Sequence, residues 1–368
     1  LRAYSSYSID QLEALVEENQ SNRSVLQGVK KELGHRSQKR RQRALLEVIE
    51  RLCAAGSLRV ELPAFWIDHL TLEKTLSTVF SSPISNHSNI HIFVPSGCSI
   101  MVSAAVQLLS FVNQLLALSC SVTIEFEAGW SGTMNYLKRI NFFKQLDQTV
   151  SVMPVLRKGS RETQHQRKNV SVVEIEKLSL DSQDTSLPDR LAEGVVNEAD
   201  LSPELKRRLK TAIETLFSEL TSNVCLHSRS TLPAYAVCQR YSPDNNPIVH
   251  VSVCDSGVGI LDTIRPALPI HYSEHPEYQK MPDEELILNM FLEGISSKGD
   301  NDGGSGLVSC ATQAMKFKST ISIRTNNTLT LLKPCGKYYV IDTQPLPHNL
   351  IHMNGTYITF QIPLDHLT

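Results

Sequence analysis

Apolar residues recur at helical spacing through the opening of the chain. Ile9, Leu12, Leu15 and Val16 make one short stripe, and Ala44-Leu-Leu-Glu-Val-Ile-Glu-Arg-Leu52 continues the period, so residues 1–85 predict an N-terminal helical region. Near Asn89 the pattern changes. Ile90-His-Ile-Phe-Val94 and Ser121-Val-Thr-Ile-Glu-Phe126 read as strands, and the long apolar stretch from Cys98 to Cys120 lies between them. That stretch carries Ser103, Gln107, Ser110, Asn113 and Gln114 and lacks basic or aromatic anchors at its ends, which predicts a buried helix and no membrane span. A helix over roughly 133–146 and strands at 150–156 and 169–175 follow, so residues 86–180 predict a small α/β domain with parallel strands.

Residues 181–200 are polar and read as a linker. A third module, 201–368, opens with Ser202 as N-cap, Pro203 at the first helical position and Glu204 at the positive end of the helix dipole. Leu205, Leu209, Ile213, Leu216, Leu220 and Val224 then form one apolar stripe, with Glu219 and Asn223 at its margin, one above the other. Segments 234–240 and 248–253 read as antiparallel strands split by the turn Ser242-Pro-Asp-Asn-Asn-Pro247.

The 368 residues, with 41% hydrophobic content, suffice for a sizeable core, and a net charge of -2 excludes a global pull towards nucleic acid or anionic membrane. One local exception is the basic run Lys30, Lys31, Arg36, Lys39, Arg40, Arg41 and Arg43, either a solvated helix face or a docking patch for nucleic acid or an acidic partner. Residues 157–168 are a second basic, polar loop. Eight cysteines without a Cys-x-x-Cys pair fit buried thiols, and with no charged-then-apolar leader a cytoplasmic location is expected. His271 and His275 read as exposed loop residues more than as a metal pair, and His227, one turn beyond Asn223, as a supporting or packed histidine.

The chemistry lies in four segments. Glu219-x-x-x-Asn223 pairs a carboxylate with an amide, and Asp255-Ser-Gly257-Val-Gly259 puts a carboxylate at a strand end before two glycines. Lys298-Gly-Asp-Asn-Asp-Gly-Gly304-Ser305-Gly306-Leu307 opens a helix through Met315, a setting in which backbone amides cradle phosphate. Gly355-Thr356 begins a closing strand. In this order the segments resemble the GHKL superfamily of ATP-binding domains, which includes gyrase and histidine kinases. The resemblance implies an α/β sandwich, a mixed sheet with helices on one face, binding ATP and Mg2+. It implies that Asp255 accepts the adenine N6 hydrogen, supported by Thr356. Asn223 holds the metal, Glu219 polarises the attacking water, Gly304, Ser305 and Gly306 wrap the phosphates, and Lys298 contacts them. Residues 271–301 act as a mobile lid. The family pattern has a glycine where this chain has Val308, which puts turnover more than binding at issue.

The middle segment is similar to STAS domains, in which a serine at a turn such as Ser131 can receive phosphate; its other reading is a helix cap. The function expected is an ATPase or ATP-driven switch that assembles as a homodimer or larger, its N-terminal half taking a protein partner. The alternatives are a protein kinase, with Ser131, His35 or a partner as acceptor, and a nucleotide-gated interaction module that does not hydrolyse.

Overall fold

The computed structural model describes residues 4–19, 23–36, 40–55, 57–80, 87–156, 174–180, 182–197, 201–242, 246–299, 304–347 and 349–364. Lys39, the 157–168 loop, the 169–173 part of the expected strand and residues 300–303 of the glycine-rich run lie outside them. Helices α1 (Ile9–Glu18), α2 (Arg23–Gly34) and α3 (Arg40–Ala55) close around Leu12, Val16, Leu26, Val29, Leu33, Leu45 and Ile49. Ser8 and Gln11 form a reciprocal capping box at the start of α1. Two members of the basic run serve this bundle internally. Arg41 pairs with Asp10 and Glu13, and Arg36 with Glu32 and the Tyr4, Ser5 and Tyr7 carbonyls.

An α/β layer follows: β1 (Ser57–Glu61), β2 (Trp66–Ile67), α4 (His69–Val79), β3 (Asn89–Val94), β4 (Ser99–Ile100), α5 (Val102–Ala117), β5 (Ser121–Phe126), α6 (Thr133–Arg139), α7 (Phe142–Gln145) and β6 (Ser151–Met153). Its main sheet is parallel in the order β1-β3-β5-β6. The layer therefore starts at Ser57, not at residue 86: Leu58 pairs with Ile90, and Val60 with Ile92. The single helix expected over 133–146 is broken at Asn141, whose φ of 62° is left-handed. Ser131 is exposed and donates to the Ala128 carbonyl at 2.6 Å, while Gly132 occupies the N-cap of α6, so Ser131 is not a capping serine.

The C-terminal part comprises β7 (Glu176–Leu178), α8 (Leu187–Val196), α9 (Pro203–His227), β8 (Ala234–Tyr241), β9 (Ile248–Cys254), α10 (Ile260–Ile264), α11 (Leu268–His271), α12 (Pro276–Lys280), α13 (Asp283–Leu292), α14 (Ser305–Met315), β10 (Thr320–Asn326), β11 (Thr328–Cys335), β12 (Tyr338–Ile341) and β13 (Met353–Pro363). Ser202 Oγ caps α9 by accepting from Leu205 N at 3.3 Å. Half of the expected linker is α8, which buries Leu187, Leu191, Ala192, Val195 and Val196 in the same core as the apolar stripe of α9. The sheet runs β12-β11-β10-β13-β9-β8-β7, and each of its pairings is antiparallel where a mixed sheet is expected. Hairpin connections such as β8–β9 and β10–β11 reverse direction without a crossover.

Helices also cover both faces of this sheet, not one. Val249, Val251, Val253, Ile358 and Phe360 meet α9, α13 and α14 on the front. The alternate positions turn to the back, where α5 lies between the two sheets with Val102 through Leu115 all buried. A helix enclosed on all sides must satisfy its polar groups internally. Asn113 Nδ2 donates to Tyr235 Oη at 2.8 Å, and Gln107 donates to Glu73 of α4, whose Oε1 accepts from Arg324 Nε of β10 at 2.9 Å. Glu73 and Arg324 are only 1% and 2% exposed. Among the described residues no helix is long and apolar enough to cross a membrane.

Candidate functional site

On the front of the sheet, a cavity of about 310 Å³ opens between α9, the end of β9, the 295–298 loop and the start of α14. Glu219 and Asn223 line it from α9, Asp255 and Gly259 from the turn after β9, and Thr356 from β13. Lys298, Gly304, Ser305, Gly306 and Leu307 complete the opposite wall. Of the residues expected in the site, Gly257 alone is not in the lining. A side chain at 257 would put its Cβ 2.0 Å from the Ser228 carbonyl oxygen, so this glycine admits close packing of the turn on the end of α9. Val258 N donates to that same carbonyl at 3.1 Å.

Asp255 occupies the sheet end of the cavity. Its Oδ1 accepts from Gly257 N at 2.7 Å and its Oδ2 from Thr356 N at 3.3 Å, while its own N–H donates to the Thr356 carbonyl at 3.0 Å. Burial pushes the carboxyl up from 3.8 to about 6, opposed by the Gly257 and Thr356 amides. Thr356 Oγ1 accepts from Ile260 N at 3.0 Å, which fixes its hydroxyl at the mouth of the turn. A carboxylate has about four acceptor positions, so two remain for a ligand N–H.

Gly306 sits so close to Glu219 that an added Cβ would lie 2.7 Å from Oε2, placing this carboxylate against the first turn of α14. Gly304 has a φ of 89°, and an added Cβ would meet the Gly294 carbonyl oxygen at 1.7 Å. Close approach of two backbones thus shapes this end of the cavity. Lys298 is exposed at the rim and makes no ion pair among the described residues. It faces His227, which also lines the cavity and whose pKa is lowered by burial, then by Lys298 and Arg229.

Two expectations need correction. The lid segment contains α13, whose Leu286, Ile287, Met290 and Phe291 are buried in the main core, so within that segment it is Met290 and the 295–298 loop that border the cavity. Val308 is outside the cavity lining, and its Cγ2 packs towards Gly294, 3.4 Å from where that residue's Cβ would be. The apolar wall of Ile260, Met290, Ile295 and Ile358 carries no local signal, because such positions look like ordinary core. His271 packs over Gly299 while His275 stacks on Tyr278 with 5.1 Å between centroids, and among the described residues no cluster of three or more His, Cys, Asp or Glu is placed to hold a metal. No protein-family model matches the chain, and no curated protein matches it either.

Proposed function

We propose that the cavity binds ATP with Mg2+ and that the protein is an ATPase or ATP-driven conformational switch. One observation carries this reading: motif residues from four separated segments, 219–223, 255–259, 298–307 and 356, line a single cavity. Its volume falls at the lower end of the range usual for small-molecule sites, about 300–1,000 Å³. The donor set also suits magnesium, which takes one or two protein oxygens and otherwise keeps water and phosphate oxygens. Asn223 would supply such an oxygen, and magnesium held there would neutralise phosphate charge.

The remaining roles belong to the chain itself. Asp255 accepts an N–H from the adenine edge, and Thr356 holds the amide that orients it. Backbone amides at Ser305 and Gly306, at the positive end of α14, take phosphate oxygens, with Lys298 adding charge at the rim. Glu219, between α9 and that helix end, takes the proton of the attacking water on its carboxylate. Incubating the full chain with terminally labelled ATP tests this: released phosphate is expected. Label kept on the protein would point to a kinase, and neither outcome with retained binding to a switch without turnover. Glu219→Ala is expected to lose turnover by at least about a hundredfold while keeping ATP affinity. Unchanged turnover would remove Glu219 from the reaction.

A further inference from the structure

Four of the five polar residues of α5 share one face of the helix, and Asn113 lies off it. Ser103, Gln107, Ser110 and Gln114 are spaced by four, three and four, which puts them on one face. The lower half of that face grips the back of the strand end that carries Asp255. Side chains alternate along a strand, so Asp255 turns to the cavity while its neighbours Cys254 and Ser256 turn to α5. Ser110 Oγ lies 3.3 Å from Cys254 Sγ, which itself donates to the Val106 carbonyl at 3.6 Å.

Gln114 holds the other side of the cavity end as well. Its Nε2, with two hydrogens to share, lies 3.2 Å from Ser256 Oγ, 3.0 Å from the Asn354 carbonyl and 2.7 Å from Tyr357 Oη, and its Oε1 accepts from Asn354 N at 2.8 Å. Both backbone groups of Asn354 are therefore taken by one buried amide. The next residue, Gly355, has a φ of 101° and packs so tightly that a Cβ would lie 2.0 Å from the Asp255 carbonyl oxygen. Thr356 follows directly, with its N–H on Asp255 Oδ2.

We propose that Gln114 is a positioning residue for the nucleotide site. From the α/β layer it fixes both chain segments that carry the base-recognising groups, Ser256 being 142 and Asn354 240 residues away in sequence. The inference rests on the ATP-binding reading for its ligand, but the clamp itself is independent of it. A cavity of this kind needs no helix behind its sheet to contact ligand; here the helix sets the spacing between Asp255 and Thr356 from behind. The base end of the site is thus built by two parts of the chain, whereas the phosphate end is built by the C-terminal part alone.

The test titrates the full chain with magnesium-ATP and with magnesium tripolyphosphate, which lacks a base, and follows amide hydrogen exchange at Gly257 and Thr356. Gln114→Ala is expected to weaken ATP about tenfold, the factor carried by roughly one net buried hydrogen bond. Tripolyphosphate affinity stays at the wild-type value, and exchange at the two amides rises by a similar factor. Ser256→Ala moves both readouts in the same direction by less. Asn113→Ala, which removes the bond to Tyr235 on the same helix, lowers stability but keeps the ATP to tripolyphosphate ratio. An unchanged ratio with unchanged exchange in Gln114→Ala overturns the proposal, as does an equal loss of ratio in Asn113→Ala. Should Gln114→Ala not fold, a wild-type ratio in Ser256→Ala overturns it. If the wild-type chain binds no ATP, the nucleotide reading falls, and exchange at Gly257 and Thr356 decides the clamp alone.

Discussion

The two faces of the seven-stranded sheet solve opposite problems. The front is apolar along the strands, through Val249, Val251, Val253, Ile358 and Phe360, and its helices stop short of filling one end, where the cavity lies. The back carries His250, Ser252, Ser322, Arg324 and Thr359, all buried, and α4 and α5 cover it. A gap in an apolar face costs the packing lost around it. In a buried polar face each group left without a partner costs its desolvation as well, as Glu73 Oε2 and Ser103 Oγ do among the described residues. The open face therefore carries the candidate chemistry, and the closed face fixes the geometry behind it.

The comparison breaks first at the ion pair. Glu73→Ala leaves the Arg324 guanidinium, bonded also to the Asn326 and Ile351 carbonyls, buried without its counter-charge. A loss of about 3–5 kcal/mol in unfolding free energy is expected, measured by urea denaturation. Replacing both partners with apolar residues, as in Glu73→Met with Arg324→Leu, is expected to recover most of that loss, since the remaining cost of a buried pair is its own desolvation. A Glu73→Ala protein as stable as the wild type would show that the back face is held by shape alone.

A smaller effect is expected at Asp255, and it differs in sign between the faces. Asp255→Asn leaves one acceptor oxygen for two amide donors and none of the original charge, so ATP affinity is expected to fall about ten- to a hundredfold in calorimetric titration. The acid side of the stability profile sharpens the contrast. Asp255 is raised from 3.8 to about 6, so the free folded chain holds its proton more tightly than the unfolded chain, and this contribution to stability is lost as pH rises from about 4 to about 6. On the back face burial, then His69, lowers His250 from 6.5 to about 3, so its contribution is present above 6.5 and is lost as pH falls below that value. Denaturation midpoints from pH 4 to 7 are expected to rise more steeply in Asp255→Asn than in the wild type. Parallel profiles would remove the assigned protonation of Asp255.

The cavity was legible from sequence where a backbone requirement is written into a short segment. Gly304 and Gly306 admit contacts that a Cβ would block, and Asp255 stands at a strand end before them in chain order. The back face was misleading for a physical reason. Alternation such as Val249-His250-Val251-Ser252 is also the pattern of a strand with one face in water, and only the partner layer decides which holds. The partner left a trace, since the four-three-four spacing of polar residues in α5 matches one helix face against that sheet. The start of the α/β layer at Ser57 had no such trace: β1 is five residues long with a single fully buried side chain, Val60. Helix α8 escaped notice although Leu187, Leu191, Ala192, Val195 and Val196 are apolar, because the polar stretches on either side of it dominate the segment.

The least effect is expected at Val308, the position where the sequence departs from the pattern it resembles. Val308 stands where the resemblance noted in the sequence implies a glycine, and a wider side chain beside the proposed phosphate site would ordinarily slow turnover. In this fold the side chain leaves the cavity and packs towards Gly294, whose carbonyl stands against Gly304. Val308→Gly therefore removes a contact that supports the loop and adds backbone freedom inside α14, at a cost of about 1 kcal/mol from helix propensity. It opens no new space beside Gly306, because Glu219 already fills that side. Thermal unfolding is expected to shift down by a few degrees, roughly what about 1 kcal/mol produces in a chain of this size, while ATP affinity and turnover stay within about twofold of the wild type. A Val308→Gly protein with clearly faster turnover would mean that α14 moves towards the phosphates during the reaction, and that the front face is less rigid than the closed face behind it.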